Sequence, residues 1–360
     1  MRGDATKTIV AEHFSFVVGV DTHARSNTYA IIATKDLRRM DTATFPTSSS
    51  GIGRALGWIL RRCQGARPLL VIEGIGSYGA AIRWAAVSQG LEVVEPLAYG
   101  SPRHRRPKDD TIDAEQIARS VVGIDRALLP RPRSQDAIRT GLRVLVVARE
   151  ELNAKRTRSI NALTALVRSV DLGLDARRPL SKSQISTIAR WRARHEDLGL
   201  ATARAEAIRL ARRIISAQEE LARNKQELAA LVAASGSAQL LNEVGIGAVN
   251  AAVILVAWSH SGRIRSEAAF ASLSGTCPIP ASSGNTERHR LNRGGDRRLN
   301  RALSSIALTR MSHDPQTRVY VERRRAEGKT PKEIRRSLKR YIARQVYRRL
   351  NNPPEIALAT

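Results

Sequence analysis

Four acidic residues stand where the chain could assemble a reaction centre. Asp21 ends the apolar run Phe16-Val-Val-Gly-Val20, and Glu73 ends the run Leu69-Leu-Val-Ile72. Both runs read as short buried strands, so both carboxylates sit at strand carboxyl ends, where neighbouring strands let side chains converge. Asp110 and Asp113 lie three apart in Lys108-Asp-Asp-Thr-Ile-Asp-Ala-Glu-Gln-Ile-Ala118, which places them on one face of a helix. Four bare carboxylates in a low-dielectric cleft would repel one another strongly. Divalent cations with oxygen ligands remove that penalty. Mg²⁺ fits, because it is held by a few carboxylates plus substrate phosphate. Two such ions, ~3.5–4 Å apart, suit phosphodiester chemistry, one activating the attacking oxygen and one stabilising the leaving oxygen. Taken singly, each acid has a plainer role as a strand-end or helix cap. Together, in a strongly cationic chain, they point to a metal site working on nucleic acid.

Two further motifs lie downstream. Leu241-Asn-Glu-Val-Gly-Ile-Gly-Ala-Val-Asn-Ala-Ala252 has the shape of a helix-hairpin-helix turn. Gly245 and Gly247 permit a tight turn and close approach of backbone amides to a phosphate, although a Gly-x-Gly before a helix also serves as a simple cap and turn. Ser282-Ser-Gly284 reads, from its residues alone, as a polar turn.

The elements that must position these residues fall into three segments. Residues 14–130 read as an α/β domain with the order three strands, helix, strand, helix, strand. The first three strands have short connections and can form an antiparallel meander, while helices link the later ones in parallel, which makes a mixed sheet. Residues 135–235 are mainly helical. One long amphipathic helix carries Leu142, Leu145, Val146, Leu163 and Val167, and a second runs from about 203 to 233, with Ile214, Leu221 and Leu228 repeating by seven. This is a coiled-coil segment, either for a dimer or for intrachain packing, and the stretch 171–198 between the two helices reads as less regular and polar. Residues 236–350 form a third, mainly helical unit. The fold class is therefore α/β plus all-α.

Composition sets the partners. The 360 residues carry 60 Lys and Arg against 33 Asp and Glu, a net charge of +27. Between Arg288 and Arg349 alone, 20 basic residues face 5 acidic ones. Such a balance calls for a polyanion, and each phosphate neutralised releases counterions, so binding should be steeply salt-dependent. Aromatic residues make up only 4%, which argues against single-strand binding by base stacking alone. Apolar runs fall far short of the ~20 residues a membrane span needs. Two cysteines, Cys63 and Cys277, provide neither a disulfide framework nor a thiolate zinc site. With no apolar leader at the start, a cytoplasmic, nucleoid-associated protein is expected.

At this point the chain resembles a known family. Gly19-Val-Asp21-Thr-His, Ile72-Glu73-Gly74 and Lys108-Asp-Asp110-Thr-Ile-Asp113-Ala are similar to the motifs of DEDD transposases of the insertion-sequence-110 family. Phe270-Ala-Ser-Leu-Ser-Gly-Thr-Cys-Pro278, Ser282-Ser-Gly284, Arg293-Gly-Gly295 and Leu299-Asn-Arg-Ala-Leu303 are similar to its C-terminal transposase domain. The resemblance covers roughly 16–345. It implies a RuvC-like ribonuclease-H fold whose metal-binding tetrad is Asp21, Glu73, Asp110 and Asp113. Two departures stand out. Asp109 precedes the third acid where the family usually has Thr or Ser, and Cys277-Pro-Ile-Pro280 replaces a more basic stretch.

The resemblance further implies a serine nucleophile directly before the glycine, which is Ser283, with Ser282 the other candidate. Its attack on phosphorus would form a phosphoserine–DNA link that conserves bond energy for rejoining. Arg288, Arg290, Arg293, Arg297 and Arg298 would steady the phosphate as a group. Partners implied are double-stranded DNA at the element ends and target, a structured guide RNA, and further copies of the chain in a dimer or tetramer. The rival reading is a RuvC-like Holliday-junction nuclease that uses water and needs no serine. A non-catalytic binding protein that keeps the fold is a third, against which the intact tetrad argues.

Overall fold

The apolar strand runs assemble as their lengths and connections demand. A computed structural model describes residues 8–97, 109–133, 136–281 and 289–351. The chain divides into two compact units, Met1–Ser134 and Gln135–Thr360.

The first unit begins with a helical turn, α1 (Val10–His13), followed by β1 (Phe16–Thr22), β2 (Ser26–Ala33) and β3 (Arg39–Pro46). Then come α2 (Ser49–Arg62), β4 (Leu69–Ile72), α3 (Ala80–Ser88), β5 (Val93–Val94) and α4 (Asp110–Arg119). The five strands form one mixed sheet in the order β3-β2-β1-β4-β5. β1, β2 and β3 pair antiparallel through short connections, whereas β4 pairs in parallel with β1 and with β5. This is the topology expected from the spacing of the strands, since parallel neighbours need a helical crossover between them.

Side chains alternate across β1 and β4, and each face has its own helices. Val18, Val20, Leu70 and Ile72 pack with Ile52, Leu56 and Ile59 of α2 and Ile82 of α3. Val17, Leu69 and Val71 pack with Ile117 and Ala118 of α4. The short strands are apolar at nearly every position because both faces are covered. Ser48 caps α2, its hydroxyl accepting from the Gly51 amide at 3.2 Å.

The second unit is helical. It contains α5 (Ala137–Ser169), α6 (Lys182–Ala189), α7 (Leu198–Ala233), α8 (Ala248–Trp258) and α9 (Glu267–Leu273). A two-residue ladder follows, β6 (Ile279–Pro280) with β7 (His289–Arg290), and then α10 (Arg297–His313), α11 (Pro315–Ala326) and α12 (Pro331–Asn351). α5 and α7 pack along their lengths. Leu142, Val146, Leu228 and Val232 continue into one core with Leu255, Phe270, Leu303, Ile306 and Ile342. A polar lock sits within the α5–α7 pair: buried Asn224 donates from its side-chain amide to the Leu145 carbonyl at 3.0 Å, and Arg149 donates to the Leu221 carbonyl at 2.9 Å.

The stretch 171–198 departs from its expected polar irregularity. Leu172, Ala176, Leu180, Ile185 and Ile188 are buried against Leu163, Ala207 and Ile214. α6 in this stretch opens on a capping box built by Ser181 and Gln184. The apolar residues of 172–180 lie outside any helix, so no helical period marks them. Among the described residues, no helix is long and apolar enough to cross a membrane.

Candidate functional site

β1 delivers Asp21 to the carboxyl edge of the sheet, where the side chain is almost fully buried, at 6% exposure. Parallel register pairs Val20 with Ile72. The pairing continues one residue further: the Glu73 amide donates to the Val20 carbonyl at 3.1 Å, and the Thr22 hydroxyl donates to the Glu73 carbonyl at 3.0 Å. Glu73 therefore lies beside Asp21 on the next strand. The chain then turns at Gly74, whose φ of +57° is the left-handed conformation that favours glycine.

α4 carries the other two acids to this edge. Its approach depends on Gly19, which shares a face of β1 with Asp21. A Cβ at Gly19 would lie 1.9 Å from the Ala114 carbonyl oxygen and 2.6 Å from the Ala118 amide nitrogen. Only a residue without a side chain lets the helix backbone rest directly on the strand. The first turn of α4 then overhangs Asp21. Asp109 is the N-cap, its carboxylate accepting from the Thr111 amide at 2.8 Å and the Thr111 hydroxyl at 2.7 Å. Those bonds hold its carboxyl below the usual carboxylate range. Asp109 is thus engaged by its own helix, while Asp110 faces the sheet edge. The positive end of the helix dipole favours acids in this turn.

Three ligand atoms converge here within 4.8 Å of one another, from Asp21, His23 and Asp110. His23 Nε2 lies 3.0 Å from Asp21 Oδ2 and 3.6 Å from Asp110 Oδ1. Burial pushes the Asp21 carboxyl above its ordinary value; His23 opposes this, and the charges of Asp110 and Asp113 add to it. Asp113, half-buried on the same helix, thus acts on Asp21 electrostatically. Neither Glu73 nor Asp113 belongs to the three-atom group.

His23 stands outside the expected tetrad of acids. Its signal was the spacing Asp21-Thr-His23, since residues two apart on a strand share a face. A buried carboxylate under like-charge pressure, with oxygen donors from a second element beside it, suits a hard divalent cation. Two carboxylate oxygens and one imidazole nitrogen make a donor set that fits a divalent cation.

In the second unit, Gly245 adopts φ +81° and packs against α10, where a Cβ would meet the Ile306 carbonyl at 3.2 Å. Gly247 is the N-cap of α8 and has nothing within 4 Å of a Cβ position. Ser282, Ser283, Gly284 and Arg288 lie outside the described residues. The flanking ladder pairs Pro280 with His289 and Ile279 with Arg290. Arg290, Arg293, Arg297 and Arg298 are exposed, and Arg298 pairs with Glu150 at 2.8 Å.

The two glycine motifs of this unit meet. A Cβ on Gly295 would fall 2.5 Å from the Leu273 carbonyl, and one on Gly275 would fall 2.7 Å from the Gly294 carbonyl. Asn300 fastens the junction by donating to the Ser274 carbonyl at 2.6 Å, and its own carbonyl oxygen accepts from Lys339 Nζ at 3.0 Å. Lys339 is buried, which pushes its pKa down, as do Arg335 and Arg336. Asn300 and Lys339 join this junction across 39 residues, a link that no local motif announces.

A mixed five-stranded sheet with acids gathered at its carboxyl edge is consistent with an RNase H-like domain of the DEDD type, followed here by a basic helical unit. Comparison with known proteins agrees with that class. Residues 18–170 match the DEDD model of IS110-type proteins, described as "Transposase", and residues 238–322 match the model described as "Transposase IS116/IS110/IS902 family". Over 87 residues the chain is 39% identical to the insertion element IS110 uncharacterized 43.6 kDa protein of Streptomyces coelicolor. That stretch covers 24% of this chain and 22% of the relative. Two IS110-type models thus match the chain in order, over 18–170 and 238–322, and with this relative they support an IS110-family transposase.

Proposed function

We propose that the chain is the DNA transposase of an insertion element, cutting and rejoining strands with a metal-binding acid cluster and a serine nucleophile. The observation that carries this reading is the convergence of Asp21, His23 and Asp110 at the sheet edge, in the segment that matches the DEDD model. Asp21, Glu73, Asp110 and Asp113 would hold two Mg²⁺ ions, with Asp110 favoured over Asp109 because Asp109 is occupied as the helix cap. When bound, the ions supply charge stabilisation to the attacking and leaving oxygens of a phosphodiester.

The rest falls to the protein's own groups. The Ser283 hydroxyl, or that of Ser282, attacks phosphorus; an Oγ–P bond forms, and a P–O bond of the strand breaks to leave a hydroxyl end. Attack by a second strand's hydroxyl reverses these bonds and frees the serine. The exposed guanidinium groups of Arg290, Arg293 and Arg297 offer contacts to the phosphate as charge builds there, alongside Arg288 of the same segment. Gly245 and Gly247, at the entry to α8, present backbone to a DNA phosphate in the manner of a helix-hairpin-helix turn.

A structured guide RNA and a dimer or tetramer of the chain complete this reading, with the α5–α7 pair of residues 135–235 as the segment that joins protomers. The excess of positive charge has room for both polymers. The junction-nuclease alternative is disfavoured. A water-using nuclease needs only the first unit, whereas the second family match lies at 238–322.

The test is to incubate the protein with DNA and Mg²⁺, denature, and look for protein-linked DNA. The wild type should form an adduct that maps to Ser283 or Ser282, and Asp21→Ala should form none while still binding duplex. An adduct that survives both Ser283→Ala and Ser282→Ala excludes the serine role, and cleavage undiminished in Asp21→Ala excludes the acid site.

A further inference from the structure

The second unit holds a cavity of about 490 Å³ between α10, α11, α12 and the Glu243–Val244 turn. That volume is in the range of small-molecule sites. One side is aromatic. Tyr320 of α11 and Tyr341 of α12 meet edge to face, ring centroids 6.0 Å apart. The Arg323 guanidinium sits over the Tyr320 ring at 5.6 Å. Tyr341 is 54% exposed, so its ring contributes little to the core. In a chain with six tyrosines, two side by side, with the Tyr341 ring open to solvent, are not explained by packing.

The opposite side is polar and held in place. Arg310 donates to the Val244 carbonyl and to Gln345 Oε1, both at 2.7 Å. Gln345 in turn donates to Glu243, which Arg349 also engages at 2.7 Å. This wall offers fixed donors and acceptors together. Glu243 and Asp314 line the cavity together with Arg310 and Arg323, so the opposite charges balance and the lining suits a neutral ligand. Elsewhere on α11 and α12, exposed Arg318, Arg325 and Lys332 add to the positive surface of this unit.

We propose that this cavity receives a single unstacked nucleobase, stacked on a tyrosine ring and hydrogen-bonded to the Arg310–Gln345–Glu243 wall. A neutral, planar heterocycle with donor and acceptor edges suits both the aromatic and the polar wall of the pocket. Unpaired bases in single strands and loops are recognised by such stacking and edge contacts. The base could come from separated DNA or from an RNA loop, and the chemistry is shared. The proposal rests on the reading that this unit binds nucleic acid.

The experiment compares short labelled duplexes, fully paired or with one central unpaired nucleotide, in DNA and RNA versions, against the full-length protein. Fluorescence anisotropy should show the unpaired form bound about tenfold more tightly, the scale of one base–aromatic stack. Whichever polymer shows the preference is the source of the base. Tyr341→Ser and Tyr320→Ser should each reduce the preference, and the double variant should abolish it. Tyr341→Phe should keep it. A 5-iodouracil at the unpaired position should crosslink to the peptide carrying Tyr320 or Tyr341. Equal affinity of the wild type for paired and unpaired forms, or a preference that survives the double serine variant, overturns the pocket alone. Failure to bind even the paired duplex removes the nucleic-acid reading, and the pocket with it.

Discussion

Gly19→Ala is the sharpest perturbation of the first unit. The added methyl would sit 1.9 Å from the Ala114 carbonyl oxygen, about 1.5 Å short of the 3.4 Å at which ordinary contact begins. The obstacle is helix backbone, which cannot rotate away as a side chain could. α4 must therefore lift off β1, and Asp110 and Asp113 move with it. Overpacking of this kind costs about 1–3 kcal/mol. A displacement near 1 Å of an aligned group can cost about 100-fold in rate. The expected variant melts several degrees lower, retains most duplex affinity, and cleaves DNA about 100-fold more slowly. The control is Gly53→Ala, where nothing lies within 4 Å of the new Cβ on an exposed face of α2. That change should be neutral or stabilising by about 0.5–1 kcal/mol. Thermal melts and cleavage rates on both variants decide the matter. A Gly19→Ala protein as stable and as active as the wild type would refute the claim that α4 seats the acids by resting on Gly19.

Asp21→Asn should stabilise the metal-free protein at neutral pH. Because burial raises the Asp21 pKa in the folded state, its ionised form weakens the fold at pH 7, and the deficit closes as pH falls toward the ordinary 3.8. Melts in EDTA across pH would show the gap, and a variant less stable than wild type at pH 7 would contradict it. Asp109→Ala should lose about 1 kcal/mol of capping yet keep much of its cleavage activity, whereas Asp110→Ala should do the reverse; the opposite pattern would make Asp109 the ligand. Burial pushes the Cys63 thiol up to about 12, so only Cys277 should react with a thiol reagent in the native protein. Since the unfolded thiol ionises near 9, the same burial should erode stability by about 1.4 kcal/mol per pH unit between 9 and 12, and Cys63→Ala should flatten that slope.

The strands were legible because a run covered on both faces is apolar at almost every position, and Asp21 and Glu73 stood out by ending such runs. The mixed topology followed from connection lengths. Asp110 was legible as a helix-face acid by its spacing to Asp113, and the cap hydrogen bonds of Asp109 with Thr111 support that choice over Asp109. His23 was legible only as the spacing Asp21-Thr-His23, and its approach to Asp110 depends on how the strand end meets α4. Gly19 looked like any glycine in a strand until the helix lay on it. The core contributed by 172–180 was missed because Leu172, Ala176 and Leu180 lie outside helices, where burial leaves no period. The pairing of Tyr320 with Tyr341 joins two helices and carries no local signal.

In the proposed site, carboxylates from β1, the end of β4 and α4 surround divalent cations. The most direct measurement is anomalous scattering from crystals grown with Mn²⁺ as a stand-in for Mg²⁺. The account expects a peak about 2.0–2.3 Å from carboxylate oxygens of Asp21 and Asp110 that vanishes in Asp21→Asn crystals. A protein that cleaves DNA in the same solution, with no anomalous peak at Asp21, would contradict it.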